Sequence, residues 1–332
     1  QKIIDLLTNT KGKEMFFDIE TNPSLEMTCF GFSFGPDEGW CVPMLQVNHY
    51  YYDNTHKILR ALAVALRDNT VIIHNALFDL FVIAYRYGIP APTKVFDTML
   101  SHHRLFPEIE KSLGHCISLY TDQPYHKNEG CFNPQNSSQF QQLYEYNIKD
   151  VLTMALIKPS IDKLTKTLRA EKSVEQVNSM VRPYLTAMLQ GLRIDTPELR
   201  MITMHNDRYQ FQIKRLLSLL LGRELNPNSP KQVAKYLYEG LGLKKPDRDP
   251  TNEKTLLQVQ LKYPENPIVS IILRYRTTAK ESGQLKFPPW EGLATKPLDH
   301  KRITTAYNLA GTTSYRLSSR RLLNEWGTNV QN

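Results

Sequence analysis

The segment that most constrains this chain is Met15-Phe16-Phe17-Asp18-Ile19-Glu20, an apolar run that closes on two acids. It reads as a strand, and residues two apart on a strand share a face, so Asp18 and Glu20 are presented together. Two later segments each place an acid in a different kind of element. Asp79 closes Asn75-Ala76-Leu77-Phe78-Asp79, directly after the apolar run Val71-Ile72-Ile73. Tyr146 and Asp150 frame Tyr146-Asn147-Ile148-Lys149-Asp150 and lie four apart, hence on one face of a helix. A fold that gathers these acids must bring separate segments to one place.

The intervening sequence has the order of an α/β fold. Strands are predicted at Glu14–Ile19, Met27–Phe34 and Gly39–Pro43, joined as a meander with Gly31, Gly35 and Gly39 near the turns. A helix is predicted over His56–Asp68, where Ile58, Leu59, Leu62, Ala65 and Leu66 recur at helical spacing. Thr70–His74 reads as a buried strand and Ala76–Tyr87 as a helix stopped by Gly88 and Pro90. Lys94–Asp97 is a short strand and Thr98–Phe106 a helix ended by Pro107. After a loop at Gly130–Ser138, a long helix from about Ser138 to Lys166 is expected to break or bend at Pro159. A three-stranded meander followed by alternating helices and strands is the order of a ribonuclease-H-like nuclease fold.

The acids themselves point to a chemistry. Two-metal hydrolysis of a phosphodiester uses cations about 3.5–4 Å apart, one activating water and one stabilising the leaving oxygen. Carboxylate oxygens without soft ligands suit magnesium or manganese. In such a site Asp18 is central and bridges both cations, with Glu20 beside it. Asp150 ligates the water-bearing cation, Tyr146 orients the attacking water, and Asp79 acts through waters on the second cation. No serine, cysteine or histidine nucleophile is required. Each segment also has a plainer reading: acids that end a strand in solvent, an Asn or Asp that caps a helix, a core tyrosine beside an exposed acid. All three in this order are far less expected by chance.

Composition excludes several classes. Across 332 residues, 41 % are hydrophobic and 22 % charged, which is globular composition. No apolar run reaches the roughly 18 residues of a membrane span, and Gln1-Lys2-Ile3-Ile4-Asp5 lacks the features of a signal peptide. Cys29, Cys41, Cys116 and Cys131 have no C-x-x-C spacing and read as thiols in a reducing, cytoplasmic compartment. His102-His103 and His115-Cys116 diverge as helical neighbours, which argues against zinc. The net charge is +8, unevenly divided. Residues 1–166 hold 15 Lys+Arg against 18 Asp+Glu, whereas residues 167–332 hold 26 against 15. An acidic first half suits cations and a basic second half suits a polyanion.

Phe17-Asp18-Ile19-Glu20-Thr21, His74-Asn75-Ala76-Leu77-Phe78-Asp79 and Tyr146-Asn147-Ile148-Lys149-Asp150 resemble the three motifs of proofreading 3′–5′ exonucleases of the four-carboxylate, tyrosine-containing type. Val95-Phe96-Asp97-Thr98-Met99-Leu100 resembles a linking stretch of the same family. The resemblance implies that Leu25 and Phe78 pack against terminal bases of a single-stranded DNA 3′ end, and that Thr21 and Asn75 help hold the strand.

The second half carries an independent resemblance, to family A DNA polymerases. Met188-Leu189-Gln190-Gly191-Leu192-Arg193-Ile194-Asp195 resembles the entry to their thumb, and Asn226-Pro227-Asn228-Ser229-Pro230-Lys231-Gln232-Val233 a thumb motif. Ile268–Lys280 resembles the next thumb helix, Ala306–Ser319 the stretch ending in T-G-R-L-S-S, and Asn329–Asn332 the following N-L-Q-N. Tyr315 occupies the glycine position of T-G-R-L-S-S, and Leu323–Gly327 looks inserted or shifted. By resemblance, Asn228, Ser229, Lys231, Gln232 and Arg316 contact a primer–template, Arg316 through the minor groove. Local physics agrees in part: Pro197–Leu221 is an amphipathic pattern with Arg200, Arg208, Lys214 and Arg215 free to face outward, and Ser229 is placed to cap the helix that Pro230 opens.

The expected organisation is therefore a 3′–5′ exonuclease domain over 1–166, thumb and connecting helices over 167–300, and the start of a polymerase palm over 301–332. The compact form is most similar to phage-encoded polymerases, which would work in a bacterial host's cytoplasm. The palm's catalytic aspartate motifs and the fingers helix are not among these residues, so primer extension is expected only with a palm and fingers supplied in cis or in trans. Ala306–Ser319 is then expected to expose an apolar side. The other readings are a stand-alone DNA or RNA 3′-exonuclease and a non-catalytic DNA-binding subunit of a replication complex.

Overall fold

The apolar strand β1 (Glu14–Thr21) lies at the centre of a five-stranded sheet in the computed structural model of the chain. The structure describes residues 1–45, 54–124, 126, 128–193, 195–246, 248–285, 302–303 and 305–320. β1 pairs antiparallel with β2 (Met27–Ser33), which pairs antiparallel with β3 (Gly39–Pro43). On its other side β1 pairs parallel with β4 (Thr70–Ile73), and β4 parallel with β5 (Lys94–Asp97), giving the order β3-β2-β1-β4-β5. Helices α1 (Lys2–Asn9), α2 (Thr55–Asp68), α3 (Ala76–Tyr87), α4 (Thr98–Leu105), α5 (Leu113–Tyr120) and α6 (Ser137–Thr167) complete this part. The fold is the α/β nuclease order expected from the sequence, with α1 and α5 added.

Alternation along β1 sorts its side chains between two cores. Met15, Phe17 and Ile19 enter a core with Leu62, Leu66 and Phe81, while Phe16 faces a second core with Val151, Met154 and Ile157 of α6. Asp18 and Glu20 have the parity of Phe16 and therefore lie on the α6 side. Burial of rings such as Phe17, Phe30, Phe32 and Phe81 contributes about 1.5–3 kcal/mol each, which holds the sheet rigid beneath the acids. α6 runs through Pro159 without ending. Proline there removes one helical hydrogen bond, and the buried Ile157, Ile161 and Thr165 keep the following turns on the protein.

The chain forms two compact units. One holds Gln1–Leu192 and, among the described residues, 305–320; the other is Arg193–Ile303. The short strands β6 (Leu192–Arg193) and β7 (Arg302–Ile303) mark where the chain passes between them. This division differs from the expected boundaries at 166 and 300. Beyond α6, α7 (Glu171–Ser179) and α8 (Val181–Gln190) stay with the first unit, because Val181, Leu185 and Met188 are buried in its larger core. Residues Ala306, Leu309 and Ala310 return to the same core. Ala306–Ser319 therefore does not expose an apolar side as expected; strands β8 (Ala306–Asn308) and β9 (Ser318–Arg320) pair there, and Tyr307 packs edge-on against Tyr184 of α8. The match at 329–332 and the shift at 323–327 lie outside the described residues.

The second unit is helical: α9 (Thr196–Leu221), α10 (Pro230–Ala234) running into a π-helical turn Lys235–Gly240, α11 (Glu253–Lys262) and α12 (Pro267–Leu285). Its core joins Ile213, Leu217, Val233, Leu237, Leu256, Ile272 and Tyr275. Asp195 Oδ1 accepts the Glu198 N–H and caps α9, with Pro197 in its first turn. The amphipathic expectation for α9 holds only in part: Ile213 and Leu217 are buried, but Ile202, Leu216 and Leu220 are exposed.

Candidate active site and family

Each acid reaches the site for a local reason. Asp18 pairs with Gly31 and Glu20 with Cys29 across β1 and β2, and the ladder shifts register between Glu20 and Thr21. The unpaired residue at that shift, Thr28, lies on β2, so both acids sit in the regular part of the ladder just before it breaks. Asp150 projects from the middle of α6 towards the same strand. Oxygens of Asp18, Glu20 and Asp150 all lie within 4.8 Å of one another. Asp79, in the first turn of α3, is 3 % exposed and its Oδ1 accepts the Ile19 N–H at 3.1 Å, between the two β1 acids. Burial and the charge of Asp18 push its pKa well above the usual carboxylate range. The donor set is all oxygen and its negative charges crowd one another, so the residues present fit hard divalent cations.

Tyr146 is buried one turn before Asp150, its ring edge-on to Phe132 at 5.3 Å and to His126 at 5.8 Å. Burial, then the charge of Asp150, push its pKa far above the ordinary phenol value, so the hydroxyl keeps its proton. A residue that sequence reasoning passed over, His126, stands at 2.8 Å from Asp150 Oδ1 through Nε2, both side chains almost wholly enclosed. Asn147 was likewise read only as part of a motif; its Nδ2 donates to Asp18 Oδ2 at 2.8 Å. Asn147 had no sequence signal beyond its place in the third motif, and His126, 24 positions from Asp150, had none.

The start of α3 depends on Asp97. Asn75 adopts a left-handed φ of 70° and makes no side-chain cap; instead Asp97 accepts the Asn75 and Ala76 N–H groups from β5. Phe78 is half-buried against the core and Thr21 is partly exposed at the end of β1. Leu25 is only 1 % exposed, with φ 60°, in the larger core. Contact between Leu25 and a base would require that side chain to move. His102 and His103 diverge as anticipated: His102 faces the Tyr120 hydroxyl and the Glu110 carbonyl, and His103 the Thr312 carbonyl.

In the helical unit, Ser229 Oγ accepts the Gln232 N–H and caps α10, and the Gln232 side chain accepts the Asn226 N–H. The Asn228 N–H donates to Asn226 Oδ1, and Lys231 is exposed beside it. Arg316 is exposed in the turn between β8 and β9, its backbone held by the Thr312 hydroxyl. Tyr315, in the glycine-like position, takes a left-handed φ of 56°. Its ring lies under Arg104 at 4.3 Å and its hydroxyl donates to the Arg104 carbonyl.

A 3′–5′ exonuclease family model matches residues 2–168, and a DNA polymerase family A model matches residues 200–322. A DNA polymerase I of Helicobacter pylori is 35 % identical over 130 residues, covering 39 % of this chain and 14 % of the relative. Those of Synechocystis sp. and Aquifex aeolicus are 28 % and 24 % identical, covering 75 % and 79 % of this chain. The chain spans 26 % and 47 % of those two relatives' lengths. A solved structure described as the POL domain of Pol1 from M. smegmatis in complex with DNA primer-template and dNTP shares the fold. Its TM-score is 0.67 at 17 % identity, over 100 % of this chain and 54 % of that one. With the acids of the matched span gathered at one strand end, the chain belongs to the 3′–5′ exonuclease family of hydrolytic nucleases, followed by a segment that matches the DNA polymerase family A model.

Proposed function

We propose that this chain is the proofreading part of a family A DNA polymerase, removing nucleotides from DNA 3′ ends with Mg²⁺ or Mn²⁺. The observation that carries the reading is the oxygen cluster of Asp18, Glu20 and Asp150 inside the span matched by the exonuclease model. Those three acids hold the cations, with Asp79 beside them acting through water. Bound there, the cations supply Lewis acidity at the phosphoryl group and a more acidic water. Tyr146, protonated and enclosed, orients the attacking water through its hydroxyl. Thr21, Asn75 and Phe78 lie at the same end of the sheet and hold the terminal nucleotides. Water adds to phosphorus, the 3′ oxygen leaves with a proton, and a 5′-nucleotide and a shortened 3′ end result.

The helical unit and Arg316 serve the same DNA. Residues 167–332 carry the chain's positive charge, and exposed Lys231 and Arg316 are the contacts to phosphate and minor groove respectively. The natural partner is a palm and fingers, in cis or in trans, in the cytoplasm. The test is digestion of a 3′-labelled oligonucleotide. Asp18→Ala, or excess chelator with the native protein, is expected to abolish release of 5′-nucleotides; full degradation by either would sink the site. Adding a polypeptide carrying the palm and fingers should restore primer extension that this chain lacks, and extension by this chain alone would overturn the division of labour.

A further inference from the structure

The residue that follows Tyr146 does more than fill the third motif. Asn147 is fully buried on α6 and its Nδ2 donates to Asp18 Oδ2 at 2.8 Å. Its Oδ1 has no hydrogen-bond partner among the described residues. That oxygen is aimed at Gly31, the residue paired with Asp18 across the ladder. A Cβ on Gly31 would lie 2.4 Å from Asn147 Oδ1 and 2.9 Å from its Cγ. Gly31 has no positive φ, so the strand conformation alone would accept any residue there. The amide is the closest obstacle to a side chain there, and the Asn147 backbone carbonyl oxygen, 3.1 Å from the same Cβ, is a second.

We propose that Asn147 is a positioning residue of the nuclease site and that Gly31 is its socket. An enclosed amide with one unpaired oxygen is an unfavourable choice for a helix face where an apolar side chain would pack. What the position gains is a neutral donor on Asp18. A lysine there would fix the carboxylate but neutralise it, and an acid would repel it. The amide holds one Asp18 oxygen, restricts how the carboxylate turns towards Glu20 and Asp150, and leaves its charge for cations. This rests on the reading of Asp18 as the central ligand.

The experiment uses the full chain with Asn147→Ala, Gly31→Ala, the double variant, and Asp18→Ala as reference. Mn²⁺ affinity is measured by titration calorimetry, kcat and KM on a 3′-labelled single strand, and melting in excess chelator. Loss of a partner of a metal-holding carboxylate typically lowers metal affinity or activity by about 10–100-fold, and Asn147→Ala is expected in that range with KM for DNA unchanged. Gly31→Ala should reproduce the loss in the native background yet add clearly less once Asn147 is alanine, because the two closest atoms it strikes are gone and only the backbone carbonyl oxygen at 3.1 Å remains. Asn147→Leu, near-isosteric and without a donor, should match Asn147→Ala if the smaller side chain melts early. Native Mn²⁺ affinity and kcat in Asn147→Leu, or equal harm from Gly31→Ala with and without the amide, would overturn the proposal. An active Asp18→Ala would instead overturn the reading on which it rests.

Discussion

Asp97 offers a sharp test of how the site is held. It is 1 % exposed at the end of β5. Its Oδ1 accepts N–H groups of Asn75, Met99 and Leu100 at 3.2, 2.8 and 3.0 Å, and its Oδ2 that of Ala76 at 2.7 Å. One carboxylate therefore caps α4 and clamps the left-handed turn from which α3 and Asp79 start. Burial pushes its pKa up to about 6 from the ordinary 3.8, while the amide bonds pull it back. The folded protein thus binds this proton more tightly than the unfolded chain. The stability it contributes is fully present below pH 3.8 and is lost as pH rises through about 6. A shift of about two units corresponds to about 3 kcal/mol. In Asp97→Asn the titration disappears, and Nδ2 turns towards the Ala76 N–H, a donor-to-donor conflict costing about 1–3 kcal/mol at every pH. Denaturant unfolding of both proteins, followed by circular dichroism in chelator from pH 4 to 8, isolates the effect. The stability of the native protein relative to the variant should fall by about 2 kcal/mol between pH 4 and pH 8, the rest of the shift being lost below pH 4. Asp79, also raised by burial and the Asp18 charge, titrates in both proteins and cancels in the difference. Parallel curves would refute the reasoning, since Asp97 would then bind its proton equally in both states.

Tyr146→Phe should slow hydrolysis by about 10²–10⁴-fold with metal affinity intact; calorimetry showing lost affinity would make the hydroxyl a ligand instead. His126→Ala should weaken Mn²⁺ binding or activity by about 10–100-fold through Asp150, read by the same titration, and native values would reduce His126 to packing. Lys231→Ala should flatten the slope of log K against log salt for primer–template binding by about 0.9 if the residue meets a phosphate; an unchanged slope leaves it a plain surface lysine. At Tyr315, the left-handed backbone strains any side chain by about 1–2 kcal/mol. Tyr315→Gly exchanges that strain for the lost Arg104 contacts and should melt close to the native protein, whereas Tyr315→Ala loses the contacts, keeps the strain and should melt lower.

Some of this protein was determined by local sequence. β1, α3 and α6 are set by apolar periodicity, and that same periodicity places Asp18 with Glu20 and Tyr146 with Asp150 on common faces. The Ser229 cap needed only three residues of context. What lay beyond local reading depended on contacts between distant segments. Asn147 meets Asp18 across 129 positions, His126 meets Asp150 across 24, and Asp97 meets Asn75 across 22. No period in the chain records those distances. The family resemblance offered Leu25 to a substrate, but its turn folds the side chain into the core. Chain division was hidden for the same reason: charge and motif changed near residue 166, yet compactness follows buried area. The apolar faces of α8 and of 305–310 find their cover in the larger nuclease core, α8 against α3. Sequence determined which acids share a face, through short-range geometry; the tertiary structure decided which partners hold them in place and which segments share a core.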